Sequence, residues 1–157
     1  MTPSLALSVQ GHSRFARSGA GFPARTTLKR WTAAALERDA ELVLRLVDAR
    51  EGRLLNKSFR HKDYATNVLT FTYAETPAAR ADIVVCVPVV RSEARAQDKA
   101  FRDHLAHLVV HGVLHAQGWD HDDRRRALAM EAREIEVLAA LGICNPYVTQ
   151  SERSRRK

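Results

Sequence analysis

Near the start of the chain Leu5, Leu7 and Val9 alternate with small or polar residues, the period of a half-buried strand. The next segment, GHSRFARSGAGFPAR, holds three glycines and a proline and reads as a loop. Leu28, Trp31, Ala35 and Leu36 then recur at helical spacing. They predict a helix capped by Thr26 or Thr27 and running to about Arg38. ELVLRLVD, at Glu41–Asp48, returns to strand patterning, and Glu51–Phe59 predicts a short helix that turns Leu54, Leu55 and Phe59 inward. Val68–Tyr73 and Ile83–Val87 read as further strands. The second is almost continuously apolar, which places it at the centre of a sheet, and Pro88 ends it.

Beyond Val89 the period is helical throughout. Helices are predicted over Val90–Gln97, over Asp98–Gln117, and from near Asp122 to Gly142, the last residue serving as a C′ glycine. Leu128, Ala132, Ile135, Leu138 and Ala139 form the expected buried stripe of the final helix. Strands in the first half and helices in the second predict an α+β fold, a small mixed β-sheet packed with helices. Residues 1–147 make a single domain, and 148–157 a basic tail without fixed structure.

Composition narrows the class. The 157 residues suffice for one core, and two domains would each bury too little. A hydrophobic content of 45% argues against a disordered chain. No apolar run approaches the ~20 residues of a membrane span. MTPSLALSVQGHSR lacks the basic region and apolar block of a secretory signal. The expectation is a soluble, cytoplasmic protein with no membrane partner. Cys86 and Cys144 stand far apart without a CxxC pairing and read as free thiols. The formal charge of +7 favours an acidic partner, nucleic acid first, although much of the excess lies in Arg124–Arg126 and the terminal RSRRK.

The candidate chemistry is concentrated in one stretch. Of seven histidines, five fall between His104 and His121, in a segment that reads H111-G-V-L-H115-A-Q-G118-W-D-H121. On a helix His111 and His115 lie one turn apart on one face, about 6 Å along the axis. Gly118 lets the chain leave the helix through a left-handed conformation, which brings His121 back toward them. Three neutral nitrogens with one position left open suit a transition metal, zinc before nickel, copper or iron. His107 and His115 stand about 12 Å apart on the same axis and cannot share an ion. His104 and His107 therefore read as surface or helix-packing residues. The spacing is that of metzincin proteases, but Gly112 stands where those enzymes carry their general-base glutamate. A glycine inside a helix suggests close approach of another element. Asp122 reads as the N-cap of the last helix, and Asp120 as a group beside the metal.

Three blocks carry a resemblance: LNKSFRHKDYATNVLTF, ADIVVCVPVV and HLVVHGVLHAQGWDHDD. From about Leu54 to Tyr147 the chain resembles the YbeY family of bacterial endoribonucleases, the rRNA maturation factors. The resemblance implies a zinc-dependent hydrolase, with one Zn2+ per chain, acting on single-stranded RNA. Its place would be 16S rRNA 3′-end maturation and late 70S ribosome quality control, with the ribosome or its small subunit as partner. It carries over His111, His115 and His121 as metal ligands and Arg60 as the arginine lining the cleft. Ala81 stands where the family usually has glycine, Trp119 where tyrosine is common, and Thr70 where serine is common. Zinc with an open position acts as a Lewis acid on phosphate, and a guanidinium suits clamping it. Two other readings remain. One is a non-catalytic RNA-binding assembly factor with structural zinc, for which Asp120 or Cys144 would supply a fourth ligand. The other is a metalloprotease, against which Gly112 and the basic charge both argue.

Overall fold

Among the described residues strand patterning is realised four times: β1 (Leu5–Gln10), β2 (Ala40–Val47), β3 (Val68–Ala74) and β4 (Ala79–Cys86). They form one sheet in the order β1-β2-β4-β3 in a computed structural model that describes residues 2–17 and 21–148. β1, β2 and β4 run parallel, with Leu5 opposite Ala40 and Val43 opposite Asp82; β3 is antiparallel to β4, with Leu69 opposite Val84. β4 therefore has a strand on each side, and Ile83, Val84, Val85 and Cys86 are all buried, which is why this run lacks alternation.

Among the described residues six helices complete the α+β fold: α1 (His12–Ala16), α2 (Arg25–Ala34), α3 (Ala49–Arg60), α4 (Val87–Ala96), α5 (Phe101–Ala116) and α6 (Arg124–Ala140). α5 is the central one, in contact with α2, α4 and α6 and with β3 and β4. Leu105, Val109, Val110, Val113 and Leu114 are fully buried along it, as expected of a helix that is apolar nearly all round. α3 lies against a second, smaller cluster made of Val47, Leu69, Val84 and Cys86.

Several expectations are corrected. The predicted loop after β1 contains the short helix α1, anchored by buried Phe15 stacked 6.0 Å from Phe22. α2 begins after Ala24 with no side-chain cap, so neither Thr26 nor Thr27 plays that part, and it stops at Ala34. In α3, Leu55 packs inward, but Leu54 and Phe59 are 55% and 63% exposed; the covered positions are Gly52 and Asn56. β4 ends at Cys86, and Pro88 sits in the first turn of α4, where its missing N–H leaves no helical bond unmade. The buried residues of α6 are Met130, Glu134, Val137 and Leu138, while Leu128 is 55% exposed and Ala132 and Ala139 are also exposed. The stripe is rotated because Glu134, a carboxylate, takes a core position. Asp123 rather than Asp122 caps α6, its carboxylate accepting the Arg126 N–H at 2.8 Å. Val148 is buried, and residues 149–157 of the expected tail lie outside the described residues.

Candidate metal centre

His111 and His115 occupy one face of α5, and their Nε2 atoms stand 3.1 Å apart. The helix then stops as the sequence requires. Gly118 has φ +97°, its N–H bonds to the His115 carbonyl at 3.0 Å, and the Trp119 N–H reaches back to Leu114 at 3.1 Å. This pair of bonds is the Schellman closure, which a residue with a Cβ adopts only under strain. The turn returns His121 to the other two rings, 4.8 Å from His115 and 5.6 Å from His111 between centroids. One donor nitrogen from each of the three lies within 4.8 Å of the others, and the group is able to hold a metal ion.

The donor chemistry fits a cation. His115 Nδ1 donates to the Trp119 carbonyl at 2.8 Å, and His111 Nδ1 donates to Glu134 Oε2 at 2.7 Å. Each Nδ1 therefore carries the proton and each Nε2 presents a lone pair. Two lone pairs at 3.1 Å repel unless a proton or a metal lies between them. Burial, then the neighbouring His111 and His121, pushes the His115 imidazole down to about 4, so a proton is a poor occupant at neutral pH. Ligands of a tetrahedral zinc stand about 3.3 Å apart, close to the 3.1 Å between His111 and His115. Among the described residues no Cys, Asp or Glu joins the three histidines as a fourth ligand. Asp120 is engaged by Arg126 and by the Asp122 N–H, both at 3.3 Å. Cys144 lies in a separate crevice beside Lys99 and His104.

Gly112 answers to packing. A Cβ there would stand 2.7 Å from Ile83 Cγ2 and 3.4 Å from Thr70 Oγ1, because α5 crosses the sheet at this point. The position held by a general base in the proteases is closed here by the sheet.

Sequence reasoning missed Glu134. Its side chain is 1% exposed and accepts from His111, from His107 Nε2 at 2.7 Å and from the Tyr147 hydroxyl. Burial alone would raise its carboxyl, but the hydrogen bonds from His107, His111 and Tyr147 outweigh it and hold the group at about 2. Burial and the adjacent Glu134 carboxylate push the Tyr147 phenol up. The available signal was the phase of α6: Met130, Glu134, Val137 and Leu138 share one face, and a carboxylate in that row calls for a buried partner. His104 is likewise buried, its Nε2 3.1 Å from Glu93, which also accepts from Asn67 at 3.1 Å. His104 and His107 are thus packing residues rather than surface ones.

The histidines open into a cleft of ≈ 570 Å³ between the C-terminal end of α3, β3 and the turn after α5. Arg60, the last residue of α3, lines it, together with Lys62, Asn67 and Thr70. The buried Asn56 amide donates to the Tyr64 carbonyl at 2.8 Å and so pins the loop that carries Lys62 and Tyr64. Glu75, Asp120 and Asp122 also line the cleft, so its protein charge is mixed rather than uniformly basic. The departures from the resembled family are accommodated. Thr70 takes part in the cleft wall, Trp119 donates to Glu37 at 3.0 Å, and Ala81 is buried in β4.

The chain matches the family model described as Endoribonuclease YbeY over residues 23–142. A protein of Albidiferax ferrireducens named Endoribonuclease YbeY is 54% identical over 123 residues, covering 78% of this chain and 83% of that relative. One of the same name from Cupriavidus metallidurans is 55% identical over 148 residues, covering 92% and 74%. The solution structure of a Thermotoga maritima protein superposes with a TM-score of 0.59 at 26% identity, over 87% of this chain and 91% of that one.

Proposed function

This chain belongs to the YbeY family of endoribonucleases, and from that premise we propose that it is a zinc-dependent endoribonuclease specific for single-stranded RNA. We place its work in 16S rRNA 3′-end maturation and late 70S ribosome quality control, in the cytoplasm, with the ribosome or its small subunit as partner. Among the described residues no helix is long and apolar enough to cross a membrane, which suits that reading.

The observation that carries the proposal is the three-nitrogen site with no fourth protein ligand among the described residues, in the wall of the cleft that also holds Arg60. Structural zinc sites are closed by four protein ligands, whereas catalytic ones keep a position open. His111, His115 and His121 would hold the ion. Bound there, one Zn2+ supplies Lewis acidity toward a phosphate oxygen and makes an oxygen nucleophile available at neutral pH. Arg60 presents a planar, permanently charged fork to the nonbridging oxygens and stabilises the charge that develops on them. Lys62 adds a second cation from the adjoining loop. Asn67 and Thr70 offer neutral hydrogen-bonding groups to the strand.

The test is single-turnover cleavage of a single-stranded RNA by zinc-loaded, chelated and zinc-restored protein, with the matching duplex as control. Cleavage should be lost on chelation, return with zinc, and be far slower on the duplex. RNA that is bound by every form and cut by none would favour the assembly-factor reading. For the cellular role, depletion of the protein should leave 16S rRNA extended at its 3′ end.

A further inference from the structure

Glu134 is a charged side chain in the middle of the core, and all of its hydrogen bonds face the histidine helix and the C-terminal segment. Oε2 is committed to His111 Nδ1 at 2.7 Å. Oε1 is fixed from two directions, by His107 Nε2 at 2.7 Å and by the Tyr147 hydroxyl. The arrangement has a direction. Tyr147 and His107 donate to one oxygen, which sets the plane of the carboxylate, and the other oxygen then accepts the hydrogen bond of His111 Nδ1–H. That leaves the lone pair on Nε2, the atom that faces His115 and the cleft. Among the described residues His107 Nδ1 has no hydrogen-bond partner, and the ring is engaged through Nε2. A buried carboxylate held for packing alone would be a poor core residue, since an apolar side chain of the same size avoids its desolvation. Its presence is explained by the imidazole it orients.

We propose that Glu134 is the positioning residue of the metal centre, fixing the tautomer and ring plane of His111, with His107 and Tyr147 as the struts that hold it. The proposal rests on the reading of the histidine trio as a metal site, but on no assumption about RNA. His115 needs no such carboxylate because the Trp119 carbonyl, presented by the Gly118 turn, accepts the hydrogen bond of its Nδ1–H. The two rings are therefore held by independent devices, one from tertiary packing and one local.

The test uses the full-length chain with Glu134→Gln and Glu134→Ala. Zinc affinity is measured by competition with a chromophoric chelator, and the tautomers of His111 and His115 by 15N NMR of their ring nitrogens. Loss of the outer partner of a metal-bound histidine lowers affinity about 10- to 100-fold. The expected result is a loss in that range for Glu134→Ala and a smaller one for Glu134→Gln, which keeps one acceptor oxygen. His111 should lose its uniform Nδ1–H form in both, while His115 keeps it. Tyr147→Phe should weaken zinc binding less than Glu134→Ala. If Glu134→Ala does not fold, Glu134→Gln decides. Wild-type zinc affinity in a folded Glu134 variant overturns the proposal. So does a loss of affinity with the His111 tautomer unchanged, which would mark damage to the fold. Wild-type protein that binds zinc but cuts no RNA would sink the nuclease reading and leave this one standing.

Discussion

Arg60 and Glu134 are opposite cases of a charged side chain. Arg60 ends α3 exposed in the cleft, and among the described residues no carboxylate is paired with it, so its guanidinium is available to a phosphate. If it acts on charge that develops during cleavage, Arg60→Ala should leave zinc content and melting temperature unchanged. It should slow single-turnover cleavage about a hundredfold, or roughly 3 kcal/mol, with RNA affinity only moderately reduced. Arg60→Lys should recover part of the rate, since lysine restores charge without the bidentate fork. Equal rates in all three proteins would remove Arg60 from the chemistry. Glu134, by contrast, never meets the cleft, and its partners lie 13, 23 and 27 residues away along the chain.

At the scale of elements, the site depends on where α5 crosses the sheet and how α3 is started. Gly112→Ala gains about 1 kcal/mol of helix propensity but drives a Cβ to 2.7 Å from Ile83 Cγ2, in a β-branched side chain that is itself buried in β4. Overpacking of this kind costs about 1–3 kcal/mol, so the variant should be less stable in urea denaturation despite the better helix former. α3 is capped by Asp48, whose carboxylate accepts the Glu51 N–H at 2.8 Å and pairs with Arg14. The Glu51 backbone bond, then the Arg14 side chain, lowers this carboxyl below its ordinary 3.8. A depressed folded-state value means the contribution is fully present above 3.8 and is lost as pH falls through the folded value. Asp48→Ala should therefore lower the melting temperature at pH 7, by the equivalent of about 1 kcal/mol for a lost cap. The difference from wild type should shrink as the pH is taken below 3.8. A difference that does not vary with pH would mean the carboxylate charge plays no part.

For the molecule as a whole, the net charge is +7, but the cleft itself is mixed, with Glu75, Asp120 and Asp122 offsetting Arg60 and Lys62. Affinity for RNA should then come from phosphate contacts distributed over the protein, with selectivity left to the cleft. Binding of a single-stranded RNA should weaken steeply between ~50 and ~200 mM salt, with a linear log–log slope set by the number of phosphates neutralised. A salt-independent affinity would point to a compact ligand held inside the cleft.

What the sequence determined by itself was local. Strand and helix periods are properties of neighbouring residues, and among the described residues they predicted all four strands and five of the six helices, with the start of β4 and the edges of α2, α4, α5 and α6 displaced by a few residues. The convergence of the three histidines was legible for the same reason. His111 and His115 are one turn apart on one helix, and a single glycine-dependent turn brings His121 to them, so the whole geometry is written within eleven residues. Short-range rules failed where a distant element supplied the constraint. Leu54 and Phe59 have helical spacing, but α3 covers only a small cluster on the sheet and leaves both largely exposed, Phe59 touching only Phe71, in an edge contact, among the described aromatic rings. Phe15 folded a turn of helix out of a glycine-rich segment because Phe22 packs against it. Only the tertiary structure decided the phase of α6, because its buried face is set by the partners of Glu134: His107 and His111 on α5, and Tyr147 beyond α6. Only the tertiary structure brought Arg60 to the histidines, since the two are joined by no local periodicity. The antiparallel placement of β3 beside β4 and the crossing of α5 at Gly112 put them in one cleft.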